Sequence, residues 1–209
     1  MMSTAKQKGA LAAFGAVGLI LASIFAVEGG YVDNPNDPGG RTNHGVTEQV
    51  ARDSGFQGRM QDLPQIDAIR IYLEKYIERP GYGPLVELDF WFAEEIIDVG
   101  VNAGQSRASR WAQESLNHYN NRGRDYRNIA EDGRFGPASV AAYRSLQAKR
   151  GRKLACQLMI KALDAKQAQH YMRLAGNDSK FEEFMVGWMR TRIGNVDISK
   201  CGTVPEMGI

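Results

Sequence analysis

The sequence predicts a mainly α protein with one small β or loop element near its start. Three observations carry that prediction. Apolar residues recur at helical spacing along most of the chain, strand-like alternation is scarce, and Gly or Pro punctuates the helical stretches. The exception is Tyr31 to Thr47, dense in Gly, Pro, Asn and Asp, which reads as turns with room for a short hairpin.

The elements follow in order. Pro64 fits the first turn of a helix carrying Ile66, Ile69, Leu73 and Tyr76, which Pro80 and Gly81 end. Residues 88–103 and 106–119 give two more helices, broken by Gly104. Pro137 opens another, followed by a long stretch from Leu154 to Leu174. Ser179 with Glu182 has the spacing of a capping box for a last helix through Trp188.

The N-terminus is different. Nineteen uncharged residues, GALAAFGAVGLILASIFAV, lie between Lys8 and Glu28. A bilayer core of about 30 Å needs roughly 20 helical residues, so the run is long enough to span. Lys6 and Lys8 before it predict a cytoplasmic N-terminus and an exported body. Half of residues 10–27 are Ala, Gly and Ser, which makes insertion weak. A cleaved signal peptide, a permanent anchor and a segment that later leaves the membrane all compete. No Ala-x-Ala site ends the run. On a helical projection Phe14, Val17, Ile20, Leu21, Ile24, Phe25 and Val27 share one arc, with Ala, Gly and Ser opposite and Leu19 the exception, the pattern of a helix packed in a globular domain. The third alternative is therefore favoured.

Composition excludes several classes. The net charge of +2 gives no footprint for nucleic acid. His44, His118 and His170 have no metal-ligand spacing, and no nucleotide-binding motif occurs, so neither metal nor cofactor is expected. Cys156 and Cys201 are the only cysteines. In an exported chain they could close a long C-terminal loop; two unpaired buried thiols are the alternative. Trp91, Trp111 and Trp188 could stack on sugars, but tryptophans at helical spacing are usually core.

Chemistry concentrates in EGGYVDNPNDPGGRTNHGVT, residues 28–47. Glycoside hydrolysis needs a carboxyl group kept protonated near neutral pH, to donate to the leaving oxygen, and a second polar group to orient water. Glu28 at the end of an apolar run suits the first role; Asp33 and Asp37 are candidates for the second. Gly29 and Gly30 let a sugar chain or loop approach the backbone. On spacing alone, a helix end followed by a polar loop is the better explanation of the stretch, since carboxylates followed by Gly are common.

That stretch resembles the opening signature of glycoside hydrolase family 108, N-acetylmuramidases with a Glu-Gly-Gly-Tyr motif. The resemblance extends over nearly the whole chain after residue 27. Asp98, Asn102 and Gly104 look like the family's D-x-x-x-N-x-G helix, followed by Ala108 and Gln113. EDGRFGPASVAAY, with Asp132, Gly133, Gly136 and Pro137, resembles the turn opening its peptidoglycan-binding-like C-terminal part. GWMRTRI, with Gly187, Trp188 and Arg190, resembles its closing helix.

The resemblance implies a lysozyme-like α+β fold with a small β or loop element and a helical C-terminal lobe. It implies three regions: a signal-arrest-release segment at 1–27, a catalytic region at 28–123, and a peptidoglycan-binding-like lobe at 124–209. Glu28 is the implied catalytic acid. Phage lysozymes use a Glu, an Asp and a Thr in short succession; Asp37 stands nine residues after Glu28, as that pattern places it, and Thr42 one residue early. Asp37 could instead cap backbone N–H groups of the Gly-Gly turn. Tyr31 and Asn102 are the expected substrate-binding residues, each with a packing role as its alternative. The expected protein is a monomeric phage endolysin with peptidoglycan as substrate, tethered transiently to the host inner membrane and then released to the periplasm. Neighbouring alternatives are a lytic transglycosylase and a peptidoglycan-binding envelope protein that does not cut.

Overall fold

The computed structural model describes residues 30–33 and 41–205. The apolar run at 9–27, Glu28 and Asp37 lie outside those residues. Two compact units divide the chain between Arg79 and Pro80. The described residues are mainly helical, with a single two-stranded antiparallel sheet among them.

In the first unit, β1 (Thr42–Asn43) pairs with β2 (Val46–Thr47). His44 and Gly45, at φ 49° and 70°, form the turn. Two consecutive left-handed residues match the right-handed twist of the strands, and glycine makes the second one cheap. Thr47 then caps α1 (Glu48–Asp53), accepting from the Val50 N–H.

Pro64 precedes α2 (Gln65–Leu73), which widens into one π-helical turn at Glu74–Glu78. The inward face of α2 is Ala68, Ile71 and Tyr72, whereas Ile66 is 70% exposed. Of the expected stripe, Ile66 thus faces outward, while Ile69 and Leu73 are half-buried. The Tyr72 hydroxyl, reaching the Gly45 carbonyl at 2.7 Å, shows which face meets the hairpin.

The second unit begins with a short helix the sequence did not reveal, α3 (Gly83–Leu88). Asp89 separates it from α4 (Phe90–Ala103) by accepting from the Phe92 N–H. Gly104, at φ 94°, turns the chain into α5 (Gln105–Tyr119). α6 (Pro137–Arg150) opens on Pro137 as expected, and α7 (Arg152–Asn177) is the long helix. α4, α5 and α7 pack on one another, and α6 packs on α5 and α7.

The expected capping box at Ser179 does not form. Asp178 accepts from the Lys180 N–H, Ser179–Phe181 is a 3-10 turn, and α8 (Glu182–Thr191) starts only afterwards. Asp178 caps one residue earlier, so Ser179 is already inside a turn.

Gln113 on α5 fixes the turn before α6. Its amide nitrogen donates to the Asp132 carboxylate (2.8 Å) and the Arg134 carbonyl (2.9 Å), and its oxygen accepts from the Gly133 N–H (2.9 Å). Gly133 sits at φ 80°, and a Cβ there would collide with Ser106.

Cys156 and Cys201 are bridged. Ile160, Val196, Ile198 and Trp91 pack around the bridge. The two cysteines are 45 residues apart, and closing a loop of that size restricts the unfolded chain, worth roughly 2–4 kcal/mol. Cys201→Ser should lower unfolding free energy by about that amount in a denaturant titration. A reducing agent should destabilise the wild type but leave the variant unchanged.

Candidate active site

In the first unit, the hairpin fixes the residues that flank the carboxylate-rich segment. Val32 and Thr42 bridge antiparallel, each N–H donating to the other's carbonyl at 2.8 Å. The two ends of the segment bearing Asp37 are therefore clamped together. Strand alternation puts Thr42 and Asn43 on opposite faces. Asn43 is buried and donates to the Met60 carbonyl at 2.7 Å, while Thr42 stays half-buried.

Asp33 is held by two groups. The Tyr31 hydroxyl donates to it at 3.3 Å, and Arg41 does so at 3.3 Å. Arg41 also approaches Glu48 at 3.8 Å, and Glu48 pairs with Arg52 at 2.8 Å. Tyr31 is 40% exposed, so its ring is available to a ligand while its hydroxyl is engaged. Arg41 went unremarked in the sequence; a cation beside Thr42 and opposite Asp33 was the available signal.

In the second unit, α4 carries the buried acids Glu95 and Asp98, and a third, Asp89, caps its start. Asp98 accepts from Arg192 at 2.8 Å, a pair almost sealed from solvent, and from the Asn102 amide at 3.3 Å. Asn102 also donates to the Asp98 carbonyl at 2.8 Å. The closing GWMRTRI segment thus acts through Arg192 rather than the Arg190 singled out by the sequence. Asp89 accepts from Tyr143 (2.7 Å) and Gln147 (3.2 Å).

Glu95 is the contrast. It is fully buried, and neither carboxylate oxygen has a hydrogen-bond partner among the described residues. Burial pushes its carboxyl well above the ordinary range, reinforced by Asp164, Asp98 and Glu94.

The tryptophans are structural as well as half-buried. Trp91 packs on the disulfide cluster, Trp111 on His170, and Trp188 stacks on Tyr171 and Phe184. Among the described residues, no group of His, Cys, Asp or Glu could hold a metal ion. None of the described helices is long and apolar enough to cross a membrane.

Comparison with known families interprets these parts. Residues 21–104 match the glycosyl hydrolase 108 model, a stretch that includes Glu28, the hairpin and α4. Residues 21–104 thus form a glycosyl hydrolase 108 domain. Residues 107–193 match a second model, described as a predicted peptidoglycan domain. The structure of SagA from Brucella abortus is similar, with TM-score 0.64 and 25% identity over 89% of this chain and 93% of that one. No curated protein matches the chain. With that domain the chain is a glycoside hydrolase that degrades peptidoglycan, on a mainly α, lysozyme-like fold.

Glu95 generates a pH prediction. In the unfolded chain its carboxyl ionises near the ordinary value of 4.5, whereas in the folded chain it stays neutral to much higher pH. Stability is lost as pH rises above the unfolded value, because only the unfolded state gains by ionising. Denaturant titrations should show the wild type weaker at pH 8 than at pH 5, with a shallower loss in Glu95→Gln. Asp89, Asp98 and Asp164, also raised by burial, act in the same sense, whereas His170, lowered by burial and by Arg107 and Arg173, acts in the opposite one. Equal slopes in the two proteins would refute the neutral Glu95.

Proposed function

We propose that this family 108 hydrolase is a phage endolysin that cuts the β-1,4 bond from N-acetylmuramic acid to N-acetylglucosamine, with Glu28 as general acid. The supporting observation is that the Glu-Gly-Gly-Tyr motif falls within the residues matching the hydrolase family, next to a clamped hairpin. Glu28 gives its proton to the glycosidic oxygen as the bond to the muramic acid anomeric carbon breaks. Water adds to that carbon, oriented by Asp37 and Thr42, and its proton passes to a carboxylate, for which Asp37 is our assignment. Tyr31 offers a ring to the sugar, and Asn102 is our second substrate-binding assignment.

Glu28→Gln keeps the shape and removes the transferable proton, so activity should fall on the order of 10²–10⁴-fold with the fold intact. Clearing of a peptidoglycan gel by wild type and variant reads this. A variant that clears at the wild-type rate would overturn the assignment.

Control is proposed to come from the apolar run. While Gly9–Val27 spans the host inner membrane, Glu28 sits at the headgroups, away from the murein layer. The positive-inside arrangement is favoured by the membrane potential, and the Ala and Gly content makes extraction easy. Collapsing the potential should release the protein to the periplasm as an active monomer. Replacing Gly15, Gly18 and Ala22 by Leu should hold the chain in the membrane fraction after an uncoupler and delay lysis. Equal murein degradation by the held and released forms would contradict this control.

A further inference from the structure

The C-terminal end of α5 carries an open cavity of about 540 Å³. Asn117, Asn120, Asn128, Arg122 and Arg127 line it. Its charge follows from the sequence. The loop at 120–128 reads NNRGRDYRN, three arginines with one acid. That acid, Asp125, is bonded to Arg150 at 2.8 Å. The side chains of Arg122, Arg124 and Arg127 make no hydrogen bond or ion pair among the described residues.

The loop is held in a costly shape. Asn121, Arg122 and Gly123 lie consecutively in the left-handed region, at φ 56°, 60° and 77°. Only glycine adopts it freely, so the first two need external support. Asn120 provides it: its oxygen accepts from the Gly123 N–H at 2.9 Å and its nitrogen donates to Asn128. The Tyr126 hydroxyl donates to the Leu116 carbonyl at 2.7 Å. Asn117 brackets Ile129, donating to its carbonyl at 2.9 Å and accepting from its N–H at 2.8 Å, and also engages Glu131 at 2.8 Å. Tyr126 and the asparagines therefore pin the loop to α5. The guanidinium groups take no part in that work.

We propose that this cavity binds the peptide stems of peptidoglycan through their free carboxylates, an inference that rests on the peptidoglycan reading above. The loop lies inside residues 107–193, the stretch matching the peptidoglycan domain. The sugar backbone offers arginine no anion, because its lactyl carboxyls are consumed in amide bonds to the stems. The stems end in carboxylates, which a guanidinium fork accepts in bidentate fashion.

The test is brief co-sedimentation of the full chain, in the cold, with three particles. These are intact sacculi, sacculi whose carboxyls have been capped as neutral amides with carbodiimide and ethanolamine, and anionic phospholipid vesicles. Wild type should be retained on intact sacculi on the order of tenfold better than on capped ones, as expected for loss of charge-assisted pairs. The double variant Arg122→Gln, Arg127→Gln should fall to the capped level, and the corresponding Lys pair should recover part of the retention. Melting temperatures confirm that each variant folds.

Equal wild-type retention on intact and capped sacculi would overturn the proposal. So would a folded Gln variant that binds intact sacculi like wild type, or one that loses only vesicle binding. New reducing ends released by the wild type are followed separately. Their absence would sink the glycosidase reading while leaving the retention comparison intact.

Discussion

An ionised carboxylate buried inside a helix bundle is tolerated only when another element brings it a partner. Asp98 on α4 and Asp89 at its N-terminal cap are both buried, and neighbouring elements of the second unit bring each of them partners. Tyr143 and Gln147 reach Asp89 from α6, and Arg192 reaches Asp98 from beyond α8. Removing Arg192 would take the charged partner from Asp98, so the GWMRTRI segment is bound to the helix that also bears Asn102. Glu95, between them, has no such partner among the described residues, and burial raises its carboxyl well above the ordinary range instead.

The same economy explains why the family motifs are spaced as they are. Asp98 and Asn102 are one helical turn apart and bond to each other, and Gly104 ends α4 with a positive φ. Gln113 then spends both ends of its amide on the turn at Asp132–Arg134. On the hairpin side, Asn43 and Tyr72 turn inward to backbone carbonyls, leaving Thr42 on the accessible face. Polar side chains that look functional in the sequence are in several cases the scaffold of the functional segment.

Helices bounded by Gly or Pro were legible in the sequence, because both residues stop or start a helix whatever surrounds them. The breaks at Gly104 and Pro137 are of that kind. What depended on tertiary contacts was not. Residues Ile66, Ile69 and Leu73 form a good periodic stripe, yet Tyr72 decides which side of α2 meets the hairpin. Ser179 lost its capping role to the neighbouring Asp178. Arg192 was passed over for Arg190, since only the position of Asp98 distinguishes them. The disulfide was one of two alternatives until the cysteines were seen 5.7 Å apart at Cα. At the candidate site, Tyr31 and Thr42 were visible as members of a motif, but Arg41 emerged only through its pairing with Asp33.

The central claim is that this chain breaks the muramic acid glycosidic bond by adding water. Digestion of purified sacculi in heavy-oxygen water, followed by mass spectrometry of the fragments, tests it directly. The account predicts fragments ending in reducing N-acetylmuramic acid that carry the oxygen label. Fragments ending in 1,6-anhydro muramic acid, or in reducing N-acetylglucosamine, would contradict it.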